Sequence, residues 1–448
     1  MIYIIDRLLR WFQASGLLEN YIEPDNRLYL RQLPAQANPP SSVRDFSNRK
    51  PALTPTASVR FHRDKITWFA YGMLSLFSFL GSMFGPALPF LREELNLSYT
   101  LGGLHTTSLA IGMISASIVT PHLASRFGRP TLLKGGGIGQ ALGAVLLITG
   151  RSPVHTMLAT LVSGFCGGLV VMMVQAVLSD SHGEQRATAL SEANIGAAIA
   201  STLAPLFVGG LHGLNFGWRS AYLVGIACLV SLSIYFPNQA AGGQQNLSQE
   251  LTENLTGGKP HHASTLPALF WLYWIVIFLV IAIEWSLLIW GADYLGQAVG
   301  MSKSTAAMII SLFYLATVVA RIIGSRLTLR TTSKTILIAS LILSLAAFPL
   351  LWISESKGLS IFALILGGLG VSNLYPMTMA AALGAAPQLA DLASARIYLG
   401  LGTSVLVSPL LLGYLADHMG IQNAYGFIPG LIVVAIGLLL ASTKVRTR

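Results

Sequence analysis

Twelve times along this chain an apolar run of about 20 residues or more is closed by a polar connection, usually a short one. A helix of that length spans the hydrocarbon core of a bilayer, and its backbone groups satisfy one another as lipid requires. The runs are 66–91, 100–124, 131–150, 154–178, 187–211, 218–237, 268–295, 304–326, 335–353, 359–384, 391–416 and 423–442, called spans 1 to 12. Only 10% of the 448 residues are charged and 53% are hydrophobic, whereas a soluble domain carries roughly 25% charged residues. Such a chain has too few polar groups to cover a globule in water. The expectation is an all-α membrane protein whose short connections make successive helices antiparallel.

The net charge of +10 would suggest a polyanionic partner in a soluble chain. Here position explains it. With both termini cytosolic, Arg126, Arg129, Lys134, Arg186, Lys259, Arg326, Arg330, Lys334, Arg396, Lys444, Arg446 and Arg448 fall on the cytosolic side. Arg92, Arg151, Arg219, Lys303 and Lys357 fall on the outer side. That asymmetry, with ten more Lys and Arg in residues 1–65, is the one that orients membrane proteins. A multi-pass protein of the cell (inner or plasma) membrane is expected, with lipid and not nucleic acid around it. Cys166 and Cys228 both fall within spans and read as packing residues, not as a disulfide or metal set.

Residues 1–65 form a cytosolic tail. Its segment "IYIIDRLLRWF" (2–12) is too short to span and suits the membrane surface, and 34–58 has the composition of a linker. Spans 1–6 make a first bundle over 66–237, and spans 7–12 a second over 268–442. A polar cytosolic loop at 238–267 joins them, its His261 and His262 read as solvated, and 443–448 is a short cytosolic tail.

The two bundles repeat. A shift of 204 residues carries Gly196, Pro205 and Gly209 onto Gly400, Pro409 and Gly413 in spans 5 and 11. It carries Ser98 onto Ser302, each placed to cap a first helical turn, and Arg126 onto Arg330. One offset serving three separate places implies a six-helix unit used twice, the architecture of a large transporter class.

The connection between spans 2 and 3 reads "PHLASRFGRPTLLK" (121–134). It resembles the signature loop of the major facilitator superfamily, G-x-L-A-D-R-x-G-R-R, with Leu123, Ala124, Arg126, Gly128 and Arg129 matching. Pro121, Ser125 and Pro130 depart from it. "SRLTLRTTSK" (325–334) is similar to a degraded second copy, and "FGWRSAYL" (216–223) to a segment common before span 6 in that family. The resemblance covers about 66–442 and implies twelve helices in two pseudo-symmetric bundles. It also implies alternating access, a pathway lined by spans 1, 4, 7 and 10, and a loop that latches the two halves. On that basis Arg126, Gly128, Arg129 and Arg330 are gating candidates, although Ser125 removes the loop's usual acid. "GAAIASTLAPLFVGG" (196–210) loosely resembles an antiporter motif and leans slightly to export. "GGGIGQALG" (135–143) is not a dinucleotide loop, because no strand precedes it; Gly135, Gly139 and Gly143 give a smooth helix face instead.

Within "FLVIAIEWSLLIWGADYL" (278–295), Glu284 falls near the middle of span 7. A charge at that depth costs roughly 2.5–3.5 kcal/mol on insertion scales and marks a cavity or a partner. Its repeat counterpart is Leu80, so the asymmetry points to function. Glu284 could exchange a proton, pair with a cationic substrate, or bond a neighbouring helix while protonated. Asp293 reads as a solvated group at the helix end. Tyr71, Ser75, Gln175, Asn373 and Tyr375 either meet substrate or tie helices together; Trp285 and Trp290 read mainly as packing. Near the cytosolic side Glu192, Arg321 and Arg396 form a second set, with Glu192 and Arg321 expected to pair across the bundles as a gate. The expected protein is a monomeric secondary active transporter of a small organic solute, with Glu284 as the candidate for coupling to protons. Alternatives are a passive facilitator of the same fold or a transport-inactive membrane sensor or scaffold. No cofactor, metal or catalytic constellation is expected, and an enzyme is not.

Overall fold

The computed structural model describes residues 61–235 and 266–446. The surface segment 2–12, the linker 34–58, most of the loop at 238–267 with its two histidines, and Thr447 and Arg448 lie outside the described residues. By its internal contacts the chain divides into a unit of residues 1–65 and a unit of residues 66–448. The helical spans belong to the second.

Ten helical stretches among the described residues are long and apolar enough to cross a membrane. One of them, 153–213, is two successive crossings, and the shorter helix Arg219–Tyr235 supplies another. The twelve spans are α1 (Lys65–Ser82 with Phe84–Leu95), α2 (Tyr99–Phe127), α3 (Arg129–Thr149), α4 (Pro153–His182), α5 (Arg186–Gly213) and α6 (Arg219–Tyr235). They continue as α7 (Ala268–Gln297), α8 (Lys303–Leu327), α9 (Ser333–Ile353), α10 (Lys357–Val371 with Leu374–Ala385), α11 (Ala390–Met419) and α12 (Ile421–Tyr425 with Phe427–Arg446). Expected and observed ends agree within a few residues. The ends carrying the α1–α2, α7–α8 and α11–α12 connections are called outer, following the expected orientation.

Three spans are broken, a feature the hydropathy pattern hides. Each break lies about four residues before a proline: Pro86 in α1, Pro376 in α10 and Pro429 in α12. Proline has no N–H for the carbonyl four residues back, and its ring collides with that carbonyl. Pro205 and Pro409 are accommodated inside continuous helices.

Local chemistry sets the turns. Ser98 and Ser302 each accept a hydrogen bond from the backbone N–H three residues on, Leu101 and Thr305, both at 3.2 Å. Gly128 closes α2 and opens α3 with φ +81°, a conformation an L side chain rarely adopts.

The repeat extends to individual contacts. A Cβ on Gly164 of α4 would lie 2.1 Å from the Leu109 carbonyl oxygen of α2. Shifted by 204, the pair becomes Gly368 of α10 against Phe313 of α8, where the Cβ–oxygen distance would be 2.9 Å. Gly136 meets the Cys166 carbonyl between α3 and α4, and Gly370 meets the Ser340 carbonyl between α10 and α9. Without a hydrophobic drive between helices in lipid, such close backbone approach supplies packing attraction. Gly139 and Gly143 face α4 as expected, but Gly135 faces open space and Gly136 takes its place. Cys166 belongs to this packing; Cys228 is exposed and does not.

α1–α6 and α7–α12 form two bundles that meet through α1–α7, α2–α11 and α5–α8.

Candidate functional site

The bundles are tied at their outer end. Arg92 near the end of α1 donates to Asp293 of α7 at 2.9 Å, and its guanidinium lies 3.4 Å from the Tyr99 ring centre. Asp293 is only 2% exposed. It is therefore not the solvated end group expected from sequence: α7 runs on to Gln297 and α1 packs over it. Asp293 Oδ2 and Arg92 Nε have no hydrogen-bond partner. They adjoin a cavity of about 390 Å³ also lined by Glu93, Asn96, Gln297 and Lys303. Lys303 pairs with Glu93 across the same seam. On the α2–α11 side, Asp417 accepts from the backbone N–H groups of Tyr99 and Thr100 at 2.7 and 2.8 Å. Thr107 donates to the Leu406 carbonyl at 2.8 Å. Backbones also touch, since a Cβ on Gly85 would meet the Leu288 oxygen at 2.0 Å and one on Gly209 the Ser304 oxygen at 2.3 Å. Trp290, fully buried, donates to the Pro409 carbonyl at 3.0 Å and holds α7 on α11, which settles its role as packing.

Glu284 stands halfway along α7, 18% exposed, with the Arg321 guanidinium of α8 4.0 Å away. That distance is an ion pair and too long for a hydrogen bond. Arg321 is 60% exposed. Tyr314 of α8 neighbours both Glu284 and Ser82 of α1.

At the inner end Glu192 of α5 is buried and accepts from Tyr71 of α1 at 3.0 Å. The pairing of Glu192 with Arg321 is not formed in this conformation, where Arg321 faces Glu284. Among the described residues no hydrogen bond or ion pair joins the bundles at this end. The equivalent place in the second bundle is held by Trp274 of α7, which donates to the Arg396 carbonyl at 2.7 Å while the Arg396 side chain is exposed. In the α2–α3 connection Arg129 pairs with Asp180 of α4, and Ser125 donates to the His122 carbonyl. Arg126 and Arg330 are exposed at the inner surface.

The sequence matches the Major Facilitator Superfamily over residues 68–294 and 273–448. The chain belongs to the major facilitator superfamily. It is accordingly a multi-pass membrane transporter and not an enzyme. Among this superfamily member's relatives, the uncharacterized MFS-type transporter YtbD of Bacillus subtilis is 22% identical over 81% of this chain and 90% of the relative. The probable sulfoacetate transporter SauU of Cupriavidus necator is 23% identical over 78% and 86%. Its fold is similar to a bacterial homologue of the human lysosomal transporter Spinster in an inward-facing, occupied state: TM-score 0.69, 14% identity, 85% and 96% coverage. The nucleoside transporter NupG has the same score and identity, with 85% and 100% coverage.

The remaining pathway candidates of this superfamily member divide. Asn373 donates to the Ala320 carbonyl at 2.9 Å and Ser372 to the Thr317 carbonyl at 2.7 Å, so the α10 break is stitched onto α8. Ser75 bonds its own helix, at the Tyr71 carbonyl. Gln175 is exposed, and Tyr375 and Trp285 are partly exposed. Sequence reasoning missed Arg92 and Asp417. Both carry a charge inside a helical turn at the outer end, but a chain read segment by segment does not show which turn of the other bundle lies opposite.

Proposed function

We propose that this transporter moves a small organic solute by alternating access, coupled to protons at Glu284. The observation that carries the reading is the Glu284–Arg321 pair: a carboxylate at mid-span whose counter-charge, at 4.0 Å, is close enough to hold it and too loose to lock it. A group so placed can change protonation and partner within one cycle. The ties gathered at the outer end support a conformation closed to the outside. The charge distribution supports placement in the cell membrane with both termini cytosolic. The relatives include a probable sulfoacetate transporter and a probable sugar efflux transporter, which supports a small organic solute without choosing one.

The test uses protein in proteoliposomes with a solute first found by thermal-shift screening. Glu284→Gln should abolish accumulation driven by a pH gradient while leaving solute exchange at equal pH. Undiminished gradient-driven transport in that variant would refute coupling at Glu284 and leave a facilitator.

A further inference from the structure

We propose that the transported solute is a small organic anion whose carboxylate, sulfonate or phosphate group is taken by Arg321. This rests on the pathway reading of Glu284 given above. Arg92, Arg129 and Arg219 each donate to a carboxylate of a neighbouring helix or loop. Among the described residues Arg321 donates no hydrogen bond: its side chain is 60% exposed and its guanidinium faces the Glu284 carboxylate at 4.0 Å. A charge-assisted hydrogen bond would be about 2.7–2.9 Å. Five N–H donors are thus available at the depth of mid-span. A planar guanidinium presents them as a fork that fits a carboxylate or phosphate in two parallel bonds.

The repeat sharpens the assignment. The counterpart of Arg321 is Ser117 and that of Glu284 is Leu80, so the pair is an addition to the scaffold and not a part of it. Arg396, whose backbone carbonyl accepts from Trp274, has an exposed side chain. Trp274 is ten residues before Glu284, about 15 Å toward the inner end. Exposed cations at two depths on the inner half of the second bundle would attract anions and repel cations.

Competition for Arg321 then links solute to proton. Among the described residues the charged and titratable groups that face Glu284 are Arg321 and Tyr314, both on α8, and Tyr314 in turn meets Ser82 of α1. An anion seated on Arg321 removes the counter-charge from Glu284, and a proton on Glu284 restores neutrality. Anion and proton therefore favour each other's binding, and by linkage each raises the other's affinity by the same factor. They travel in the same direction, so an inward proton gradient drives uptake, against the slight lean to export carried by the α5 segment.

The test is thermal-shift titration of the purified full chain in detergent at pH 5.5 and 8. The probes are carboxylates, sulfonates and phosphate monoesters of two to six carbons, with quaternary amines and neutral sugars as comparators. At least one anion should stabilise the protein, binding about tenfold tighter at pH 5.5. Arg321→Gln should weaken that binding tenfold or more. Glu284→Gln, which stands in for the protonated acid, should hold the affinity near its pH 5.5 level at both pH values; a pH dependence that survives in it would refute the link to Glu284. If Arg321→Gln does not yield monodisperse protein, Arg321→Lys supplies the same comparison, retaining charge without the fork. The proposal is overturned if no anion stabilises the protein, if only amines or sugars do, or if anion binding survives both Arg321 changes. Anion binding with no gradient-driven flux in proteoliposomes would instead refute the coupled-transport reading and leave the anion site standing.

Discussion

Asp417 accepts two hydrogen bonds from Thr100, one from its backbone N–H at 2.8 Å and one from its hydroxyl at 2.5 Å. The two residues belong to different bundles, so a carboxylate at the end of α11 caps the first turn of α2. Such a cap is favoured by the positive end of the helix dipole. It exists only while the outer ends are together. Asp417→Asn should weaken the closed outer end by about 1 kcal/mol, given the site's exposure, or about fivefold in the open-to-closed ratio. Spin labels at the outer ends of α2 and α11 would report the shift as a larger long-distance population.

The Arg92–Asp293 pair should behave differently because Asp293 is buried. Removing one member of a buried pair strands the other, at about 3 kcal/mol. Asp293→Asn alone should therefore lower the thermal midpoint clearly. Arg92→Gln combined with Asp293→Asn should recover much of the loss, and a double-mutant cycle measures the coupling.

Gly164 and Gly368 occupy equivalent places but differ in clearance. A Cβ would meet a carbonyl oxygen at 2.1 Å in the first and 2.9 Å in the second. Overpacking of this kind costs about 1–3 kcal/mol. Gly164→Ala should be the more destabilising change in a melting assay, with Gly368→Ala nearer the low end of that range.

If Glu192 and Arg321 meet when the inner end closes, exchanging their charges should preserve the gate. Glu192→Arg and Arg321→Glu should each depress the rate of solute exchange, and the double exchange should restore part of it. A double variant no better than either single one would remove the pair from the gate.

Hydropathy alone gave the spans, because lipid leaves a chain few alternatives to helix. The 204-residue shift was legible too, and the contacts of Gly164 and Gly368 show the same relation in three dimensions. What sequence could not supply was the facing residue. Asp293 looked solvated because its partner lies 201 positions away on α1, and Asn373 could be read as meeting substrate or tying helices until the fold showed its amide N–H donating to Ala320 of α8. The breaks in α1, α10 and α12 were written in Pro86, Pro376 and Pro429, yet a hydropathy window averages over them. Glu284 stood out because a carboxylate is costly at mid-span. Its relation to Arg321 needed the fold.

Gly209 of the first half rests on the Ser304 carbonyl of the second, and Gly413 of the second rests on the Tyr99 carbonyl of the first. These are the same contact made twice, within one residue of register. That is the self-complementary pattern of a two-fold dimer, here between halves that share one chain. The seam would then hold without the covalent tie. Two separately expressed polypeptides, divided between α6 and α7, should find each other in the membrane and rebuild the transporter.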